Sequence, residues 1–136
     1  MRIALEPWAF KPTRAHKEDA GLDLRTPIGV VIEPRTSIVI DTGVHVEIPH
    51  GCAGVLISKS GLNVKNGIIS TGLIDEGYTG SIIVKLFNHG NKEVEIPAGG
   101  KISQLVIIPV LQPTIEYVDK IDGGARGSNG FGSTGI

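Results

Sequence analysis

The chain has a single cysteine, no surplus of basic residues and no long apolar run. Cys52 therefore lacks an internal disulfide partner, and no metal-binding spacing surrounds it, which favours a reducing, cytoplasmic setting. A formal net charge of -1 leaves no excess of cations to neutralise a nucleic acid backbone, so nucleic acid is not expected as the main partner. Residues 1–10 carry no secretory apolar core, and no segment is apolar for long enough to span a membrane.

Two common classes of site motif are also missing. The four histidines do not pair with one another, with the cysteine or with a carboxylate at ligand spacing, so a zinc site built by the protein is not expected. No phosphate-binding loop of the Gly-x-x-x-x-Gly-Lys-Ser/Thr type occurs, and no internal repeat is visible. A local cluster of charge could still bind a small anion.

Glycine, by contrast, is abundant. It supplies 19 of 136 residues, twice its average share of about 7%, and is joined by 8 prolines. Between residues 28 and 56, apolar residues recur at every second position in short runs that glycine and proline interrupt. This pattern is typical of an all-β sandwich or barrel. The length suits one compact domain with a substantial core.

The most informative stretch runs from residue 72 to residue 88. An apolar run ends at Asp75, and glycines bracket Tyr78. In residues 81–87 one set of positions then alternates with another, namely Ile82, Val84 and Leu86 with Ser81, Ile83, Lys85 and Phe87. The pattern predicts two arms of a hairpin with Asp75 and Tyr78 at its mouth and one buried face on the second arm. Asp75 could merely close its own turn. A carboxylate and a ring on a rigid hairpin also suit a site that holds a sugar and a water molecule.

Two other segments place polar residues beside predicted strands. Asp23 lies between two leucines and, taken alone, is an ordinary polar residue at a strand edge. Lys59 and Ser60 follow a buried strand and precede a short helical turn predicted for residues 63–66. Backbone amides at such a start suit an anion, although Ser-Gly is also a common turn.

The final part of the chain leaves two further alternatives open. Gln104 lies between apolar neighbours and is either satisfied within the sheet or available to a ligand. Residues 123–136 are rich in glycine and carry almost no apolar area. They are either a flexible tail or a flap over an anionic, aromatic ligand, with Arg126 on phosphate and Phe131 stacked on a ring.

Taken in chain order, five segments resemble the five motifs of the trimeric dUTP pyrophosphatases, the dUTPases. They are Ala20–Leu24, Ser58–Leu62, Gly72–Tyr78, Gly99–Leu105 and Arg126–Gly135. The resemblance spans nearly the whole chain. It implies an all-β, jelly-roll-like distorted barrel over residues 1–122, assembled as a homotrimer, and a glycine-rich arm over residues 123–136 that closes a site formed mainly by the other two chains.

The resemblance also implies an activity, namely hydrolysis of dUTP to dUMP and pyrophosphate with Mg²⁺. Such a reaction limits uracil incorporation into DNA and supplies dUMP for dTMP synthesis. Asp75 matches the carboxylate that deprotonates the water attacking the α-phosphorus. Asp23 matches the residue that holds the metal ion through water.

The substrate contacts that the resemblance implies come from all five motifs. Those expected at the phosphates are Lys59, Ser60, Gly61, Gln104, Arg126, Gly132, Ser133 and Thr134. Those expected at the nucleoside are Gly72, Tyr78, Ile83 and Phe131. The resemblance implies that Tyr78 lies beneath the deoxyribose and leaves no room for a 2′-hydroxyl. It also implies that Phe131 covers the uracil and that main-chain groups near Gly72 and Ile83 form hydrogen bonds with the base.

Two departures and two alternatives accompany the resemblance. Lys59 stands where the family often has arginine, so an ammonium group with a localised charge replaces a planar guanidinium that can form two parallel hydrogen bonds. Gly77 stands where the family often has a second aspartate. A dCTP deaminase of related fold would need a glutamate where this chain has Lys85, and it would lack the final glycine-rich motif. A nucleotide-sensing regulator would have lost the water-activating carboxylate, whereas Asp75 is present.

Overall fold

The computed structural model describes residues 1–124 and 127–128, and this part of the chain is almost entirely β-structure. Its elements, in chain order, are β1 (Ile3–Leu5), β2 (Gly21–Arg25), β3 (Val30–Ile32), β4 (Ser37–Val46), β5 (Cys52–Ser58), α1 (Ser60–Asn66), β6 (Ile68–Ile74), β7 (Ser81–Asn88), β8 (Val94–Ile96) and β9 (Lys101–Pro109). The predicted all-β class is therefore confirmed.

Seven of the strands form one antiparallel sheet in the order β1-β4-β7-β6-β5-β9-β2, and β3 pairs with β8 in a separate ribbon. The middle strand, β6, changes partner along its length. Residues 68–70 of β6 pair with β7, whereas residues 71–74 pair with β5. The sheet therefore divides at β6, and this division shapes the site described below.

The core lies on the inner face of the curled sheet. On β7 the predicted alternation is confirmed, since Ile82, Val84 and Leu86 are fully buried while Ile83 and Phe87 are exposed. Burial of each such aliphatic side chain contributes about 1.5–3 kcal/mol. Strands throughout the sheet and the ribbon supply the rest of the cluster, including Leu22, Leu24, Ile32, Ile40, Val44, Leu56, Ile68, Ile96, Ile102 and Leu105.

The one helix within the described residues is longer than predicted. The chain turns helical at Ser60 rather than at residue 63, because the Lys59 carbonyl accepts a hydrogen bond from the Asn63 amide at 2.9 Å and closes a first turn. The helix ends at Gly67, whose φ of 70° is left-handed and suits glycine. A methyl group at this position would also lie 2.9 Å from the Gly90 nitrogen.

After β9 the chain continues without helix or strand through residue 124. Large apolar side chains along this segment are exposed, with Leu111 at 95% and Tyr117 at 92%. A segment so rich in exposed apolar area finds little to pack against within its own chain. Among the described residues, no helix combines the length and the apolar character that crossing a membrane requires.

Candidate active site

The β6–β7 hairpin is closed at one end and open at the other. At its closed end, residues 68–70 pair with residues 86–88. At its open end, residues 71–85, the two arms no longer pair with each other; β6 pairs with β5 there, and β7 remains paired with β4, as it is at the closed end. The separation leaves a cavity of about 240 Å³ between the arms, lined by Leu73, Ile74, Asp75, Tyr78 and Ile83. The structure thus brings together three of the predicted site residues, Asp75, Tyr78 and Ile83.

The turn at the open end holds the tyrosine ring in a fixed place. The Tyr78 amide donates to the Asp75 carbonyl at 3.2 Å, and the Tyr78 hydroxyl donates to the Ser81 carbonyl at 3.0 Å. The ring lies so close to Gly80 that a methyl group there would sit 2.6 Å from Tyr78 Cζ. Gly77, with φ at 87°, supplies the left-handed residue of the turn. Tyr78 is consequently set as one wall of the cavity.

Asp75 itself is exposed at the mouth of the cavity. Within residues 1–124, no hydrogen-bond donor or cation engages its carboxylate. A carboxylate so placed is free to bind a water molecule or a ligand.

Glu76, the next residue, fastens the turn to the neighbouring loop. Its carboxylate accepts hydrogen bonds from His50 Nδ1 at 2.8 Å and from the Gly51 amide at 2.9 Å. The contact with His50, aided by the Gly51 amide, lowers the pKa of Glu76, and the same contact raises the pKa of His50. Sequence reasoning missed this role, because Glu76 and Gly51 are 25 residues apart and no local pattern joins them.

A second polar cluster surrounds Asp23 on β2. Lys59 Nζ lies 2.5 Å from Asp23 Oδ1 and Lys101 Nζ lies 2.6 Å from Oδ2, while the Asp23 side chain is only 4% exposed. Burial alone would raise the pKa of Asp23, but hydrogen bonds from Lys101 and Lys59 outweigh it and hold the pKa below its usual value. Asp23 is thus a buried, doubly paired carboxylate, unlike the exposed edge residue that its local sequence suggests. Lys101 was not among the predicted residues.

Gln104 joins the same cluster. It lies directly opposite Asp23 in the β2–β9 register, and its Nε2 donates to the Ser58 carbonyl at 3.3 Å. Ser60 and Gly61, at the start of α1, are exposed nearby in sequence. The structure therefore brings three of the predicted site residues, Asp23, Lys59 and Gln104, close together.

The two clusters are far apart within one chain. Asp23 pairs with Gln104, Gln104 with Ile57 and Ile57 with Thr71, so three strand spacings separate Asp23 from β6. Asp75 lies four residues further along the chain than Thr71. With strands about 4.8 Å apart and a rise of about 3.3 Å per residue, the separation along the sheet is roughly 20 Å. One water molecule cannot bridge it.

The predicted contacts in the glycine-rich arm cannot be placed in this geometry. Arg126, Phe131, Gly132, Ser133 and Thr134 lie outside the described residues. Gly72 is described, and a methyl group there would meet Leu56 Cδ1 at 3.0 Å. Close packing against β5 therefore suits glycine at this position.

Comparison with known proteins gives a consistent result. The model of the dUTPase family matches residues 9–135. A deoxyuridine 5'-triphosphate nucleotidohydrolase of Gloeothece citriformis is 40% identical over 135 residues, which cover 97% of this chain and 93% of that protein. The protein of the same name from Mus musculus is 38% identical, over 98% of this chain and 83% of its own length.

Solved structures agree with the sequence relatives. The dUTPase of Staphylococcus bacteriophage 80alpha with dUpNHpp superposes with a TM-score of 0.89 at 32% identity, covering 99% of this chain and 98% of that one. A mutant dUTPase from phage phi11 of S. aureus, whose structure describes the coordination of a structural Mg(II) ion, gives a TM-score of 0.79 at 31% identity over 88% of this chain and 96% of that one.

Proposed function

The chain belongs to the dUTPase family, and we propose that it hydrolyses dUTP to dUMP and pyrophosphate in the cytoplasm. The observation that carries the proposal is the cavity at the open end of the hairpin, with an exposed Asp75 at its mouth and Tyr78 as a wall. In the cell this reaction would limit uracil incorporation into DNA and supply dUMP for dTMP synthesis. Neither nucleic acid nor a membrane is proposed as a partner.

Asp75 is the proposed general base. Its carboxylate accepts a proton from a water molecule whose oxygen attacks the α-phosphorus in line. A bond forms between that oxygen and the α-phosphorus, and the bond from the α-phosphorus to its bridging oxygen breaks. Pyrophosphate leaves with the bridging oxygen, and dUMP remains. The exposure of Asp75 and its freedom from partners within residues 1–124 support this role.

The open end of the hairpin is the proposed nucleoside pocket. Because β6 and β7 pair only as far as Ser70 and Leu86, main-chain groups of residues 71–74 and 81–85 that point into the gap have no ladder partner there within the described chain. Such groups form a fixed pattern of donors and acceptors, which suits the edge of uracil near Gly72 and Ile83. Tyr78 would pack beneath the deoxyribose and leave no room for a 2′-hydroxyl.

The Asp23 cluster is the proposed triphosphate site. Lys59, with Ser60 and Gly61 at the start of α1, supplies charge and donors for the α- and β-phosphates, and Gln104 lies beside them. In the glycine-rich arm we propose Arg126 for the γ-phosphate, beside Gly132, Ser133 and Thr134, and Phe131 over the uracil.

The same cluster fits a magnesium ion that arrives with its substrate. Within the described residues, no group of three or more His, Cys, Asp or Glu side chains could hold a metal alone. Mg²⁺ typically uses one or two carboxylates, several waters and the substrate phosphates, so Asp23 would serve as an outer ligand through water, in place of one of its two lysine contacts. Bound Mg²⁺ would offset part of the triphosphate charge.

We propose a homotrimer with shared sites. The roughly 20 Å between Asp75 and Asp23 within one chain supports a site that takes each carboxylate from a different copy. Two exposed apolar surfaces are available for the contacts between copies, namely the outer face of the sheet and the extended segment 110–124. Residues on the outer face, apart from those that line the cavity, include Val39, Ile57, Ile69 and Phe87. The arm, residues 123–136, would then reach a site on its neighbours.

Pyrophosphate release from dUTP, dCTP, dTTP and UTP, with and without Mg²⁺, tests the activity. We expect release from dUTP only, and far more with the ion. Conversion of dCTP to dUTP would instead identify a deaminase, although Lys85 occupies the position of the acid that a deaminase needs and lies over the Phe87 ring at 4.9 Å. Tight binding of dUTP without turnover would identify a nucleotide sensor.

Subunit mixing tests the shared site. Chains with Asp75→Asn and chains with Asp23→Asn are each expected to be nearly inactive alone. If each site takes the two carboxylates from different chains, refolding an equal mixture restores about one quarter of the sites, because each of two independent choices succeeds half the time. No recovery from a mixture that forms trimers would show that each chain carries a complete site.

A further inference from the structure

His45 connects three elements around the open end of the hairpin. It lies on β4, opposite Ser81 in the β4–β7 register. Its Nδ1 is 2.8 Å from the Thr79 carbonyl oxygen, and its Nε2 is 3.3 Å from Glu6 Oε1 just beyond β1. The alternation of β4 predicts that His45 faces solvent or a partner chain, but its side chain is only 28% exposed.

Both partners of the ring accept hydrogen bonds and neither donates. A neutral imidazole has one N–H, so it can satisfy only one of the two contacts, whereas the imidazolium form satisfies both. The charges nearby favour that form. Glu6 and Asp41 are both anionic, while the guanidinium of Arg2 in the same cavity is already paired with Glu47 at 2.5 Å.

The segment that His45 contacts carries the wall of the nucleoside pocket. Thr79 directly follows Tyr78, and the Tyr78 hydroxyl donates to the Ser81 carbonyl at 3.0 Å. The Ser81 hydroxyl in turn donates to the carboxylate of Asp41 on β4. Strand β4 therefore fixes the segment 78–81 near both of its ends, through His45 and through Asp41.

We infer that His45 is a positioning residue, which sets the place of the Tyr78 ring by donating to the Thr79 carbonyl and the Glu6 carboxylate at once. The inference rests on the proposed function, because it assigns the Tyr78 pocket to the deoxynucleoside. His45 does not touch the cavity lining itself. Its effect reaches the substrate only through the main chain of residues 78–81.

This arrangement has a defined dependence on pH. The Thr79 carbonyl is the main cause that raises the pKa of His45; partial burial opposes it, and Glu6 and Asp41 add to it. The double contact is therefore intact at low pH and is weakened as the pH rises through the raised pKa. Glu76 and Asp75, at the other end of the turn, do not contact the His45 ring.

Steady-state hydrolysis of dUTP by wild-type protein and two variants, from pH 6 to pH 9, tests the inference. In His45→Asn, the amide nitrogen replaces Nδ1 and does not titrate; in His45→Leu, both contacts are lost. For wild-type protein we expect KM to rise with pH by about three- to tenfold, the size of one or two hydrogen bonds, while kcat changes less. His45→Asn keeps only the Thr79 contact, as neutral histidine does, so its KM should equal the high-pH value of wild-type protein at every pH, and His45→Leu should have a KM at least as high throughout.

The ratio of kcat/KM for dUTP to that for UTP adds a readout of the Tyr78 wall. It should fall most in His45→Leu and be partly restored in His45→Asn, which keeps the Thr79 contact alone. The inference is wrong if the KM profile of His45→Asn still rises as in wild-type protein, or if His45→Leu changes stability but neither KM nor the dUTP/UTP ratio.

A measurement without catalysis separates this inference from the proposed function. In an NMR titration of wild-type protein, the His45 ring and the Gly80 amide should shift together, at a pH that Glu6→Gln lowers. If wild-type protein failed to hydrolyse dUTP, the proposed function would be wrong, and the NMR titration would still decide the His45 contact. Independent titration of the two resonances in an active enzyme would overturn the inference alone.

Discussion

The closed and open ends of the β6–β7 hairpin differ in what their backbone does. At the closed end the two arms pair with each other, and Ser70, Leu86 and Asn88 are buried. At the open end the arms no longer pair with each other, and Leu73, Tyr78 and Ile83 remain exposed while Ile82 and Val84 are still buried. The same two strands thus pair with each other at one end and leave main-chain groups for a ligand at the other.

The contrast explains how a sheet protein acquires a pocket without a long loop. A strand has two edges, and each edge can pair with only one neighbour at a given position. Beyond Ser70, β6 pairs with β5 on one edge, and within the described residues its other edge no longer pairs with β7, so the space along that edge becomes the cavity. Rigid strands on both sides hold its walls, which is what a site needs when selectivity depends on fixed hydrogen-bonding groups.

The largest effect expected at the open end follows from Asp75→Asn. The amide keeps the size of the side chain but cannot accept the proton of water, so we expect kcat to fall by about two to four orders of magnitude. Calorimetry with dUMP should show binding within a few-fold of wild-type protein. Turnover at the wild-type rate would remove Asp75 from the chemistry and leave the open end as a binding surface only.

A matched pair of truncations on β7 separates its inner face, which is buried at both ends, from its outer face, which lines the cavity at the open end. Leu86→Ala removes a fully buried side chain at the closed end and should cost about 2–5 kcal/mol of stability. Ile83→Ala removes a half-exposed one at the open end and should cost about 1 kcal/mol or less while raising KM for dUTP.

Urea denaturation at one fixed protein concentration compares the two variants, since assembly contributes to the midpoint. Equal losses of stability in both would show that the outer face at the open end is as much a part of the core as the inner face.

The sequence predicted the features of this hairpin that depend on local spacing. Alternation along β7 is such a feature, because period two alone decides which side chains face the core. The change of partner by β6 could not be predicted in this way, because nothing within residues 68–74 indicates which strand will lie beside them. Lys101 and Glu76 were missed for the same reason, because their partners are distant in sequence.

Family motifs identified site residues that local spacing left undecided. Asp23 and Gln104 are ambiguous in isolation, yet the structure places them opposite each other. The motifs did not indicate that Asp23 would be held by two lysines.

The Asp23 cluster allows a prediction of intermediate size that depends on pH. Asp23→Asn leaves two ammonium groups without their carboxylate and should cost about 1–3 kcal/mol near neutral pH. The folded-state pKa of Asp23 is lowered, so its contribution is complete above the unfolded value of about 3.9 and disappears as the pH falls through the folded value.

Urea midpoints of wild-type protein and Asp23→Asn should therefore converge as the solution is acidified. Asp122→Asn is the matched control, because its pair with Lys120 is largely exposed, and it should change stability by no more than about 0.5 kcal/mol. A gap between wild-type protein and Asp23→Asn that widened in acid would contradict the assigned pairing.

The smallest effect is expected at the outer contact of the turn, where Glu76 joins the open end to the neighbouring loop. Glu76→Ala removes both the Gly51 and the His50 contacts, and the loosened turn should lower kcat by about three- to tenfold through the adjacent Asp75. His50→Ala removes only the partner whose side chain is 95% exposed and should change kcat by less than about twofold. Because Gln can still accept from the Gly51 amide, Glu76→Gln should behave like His50→Ala. Equal losses in Glu76→Ala and His50→Ala would mean that the ion pair, rather than the Gly51 amide, holds the turn, and the open end would then depend on a surface contact.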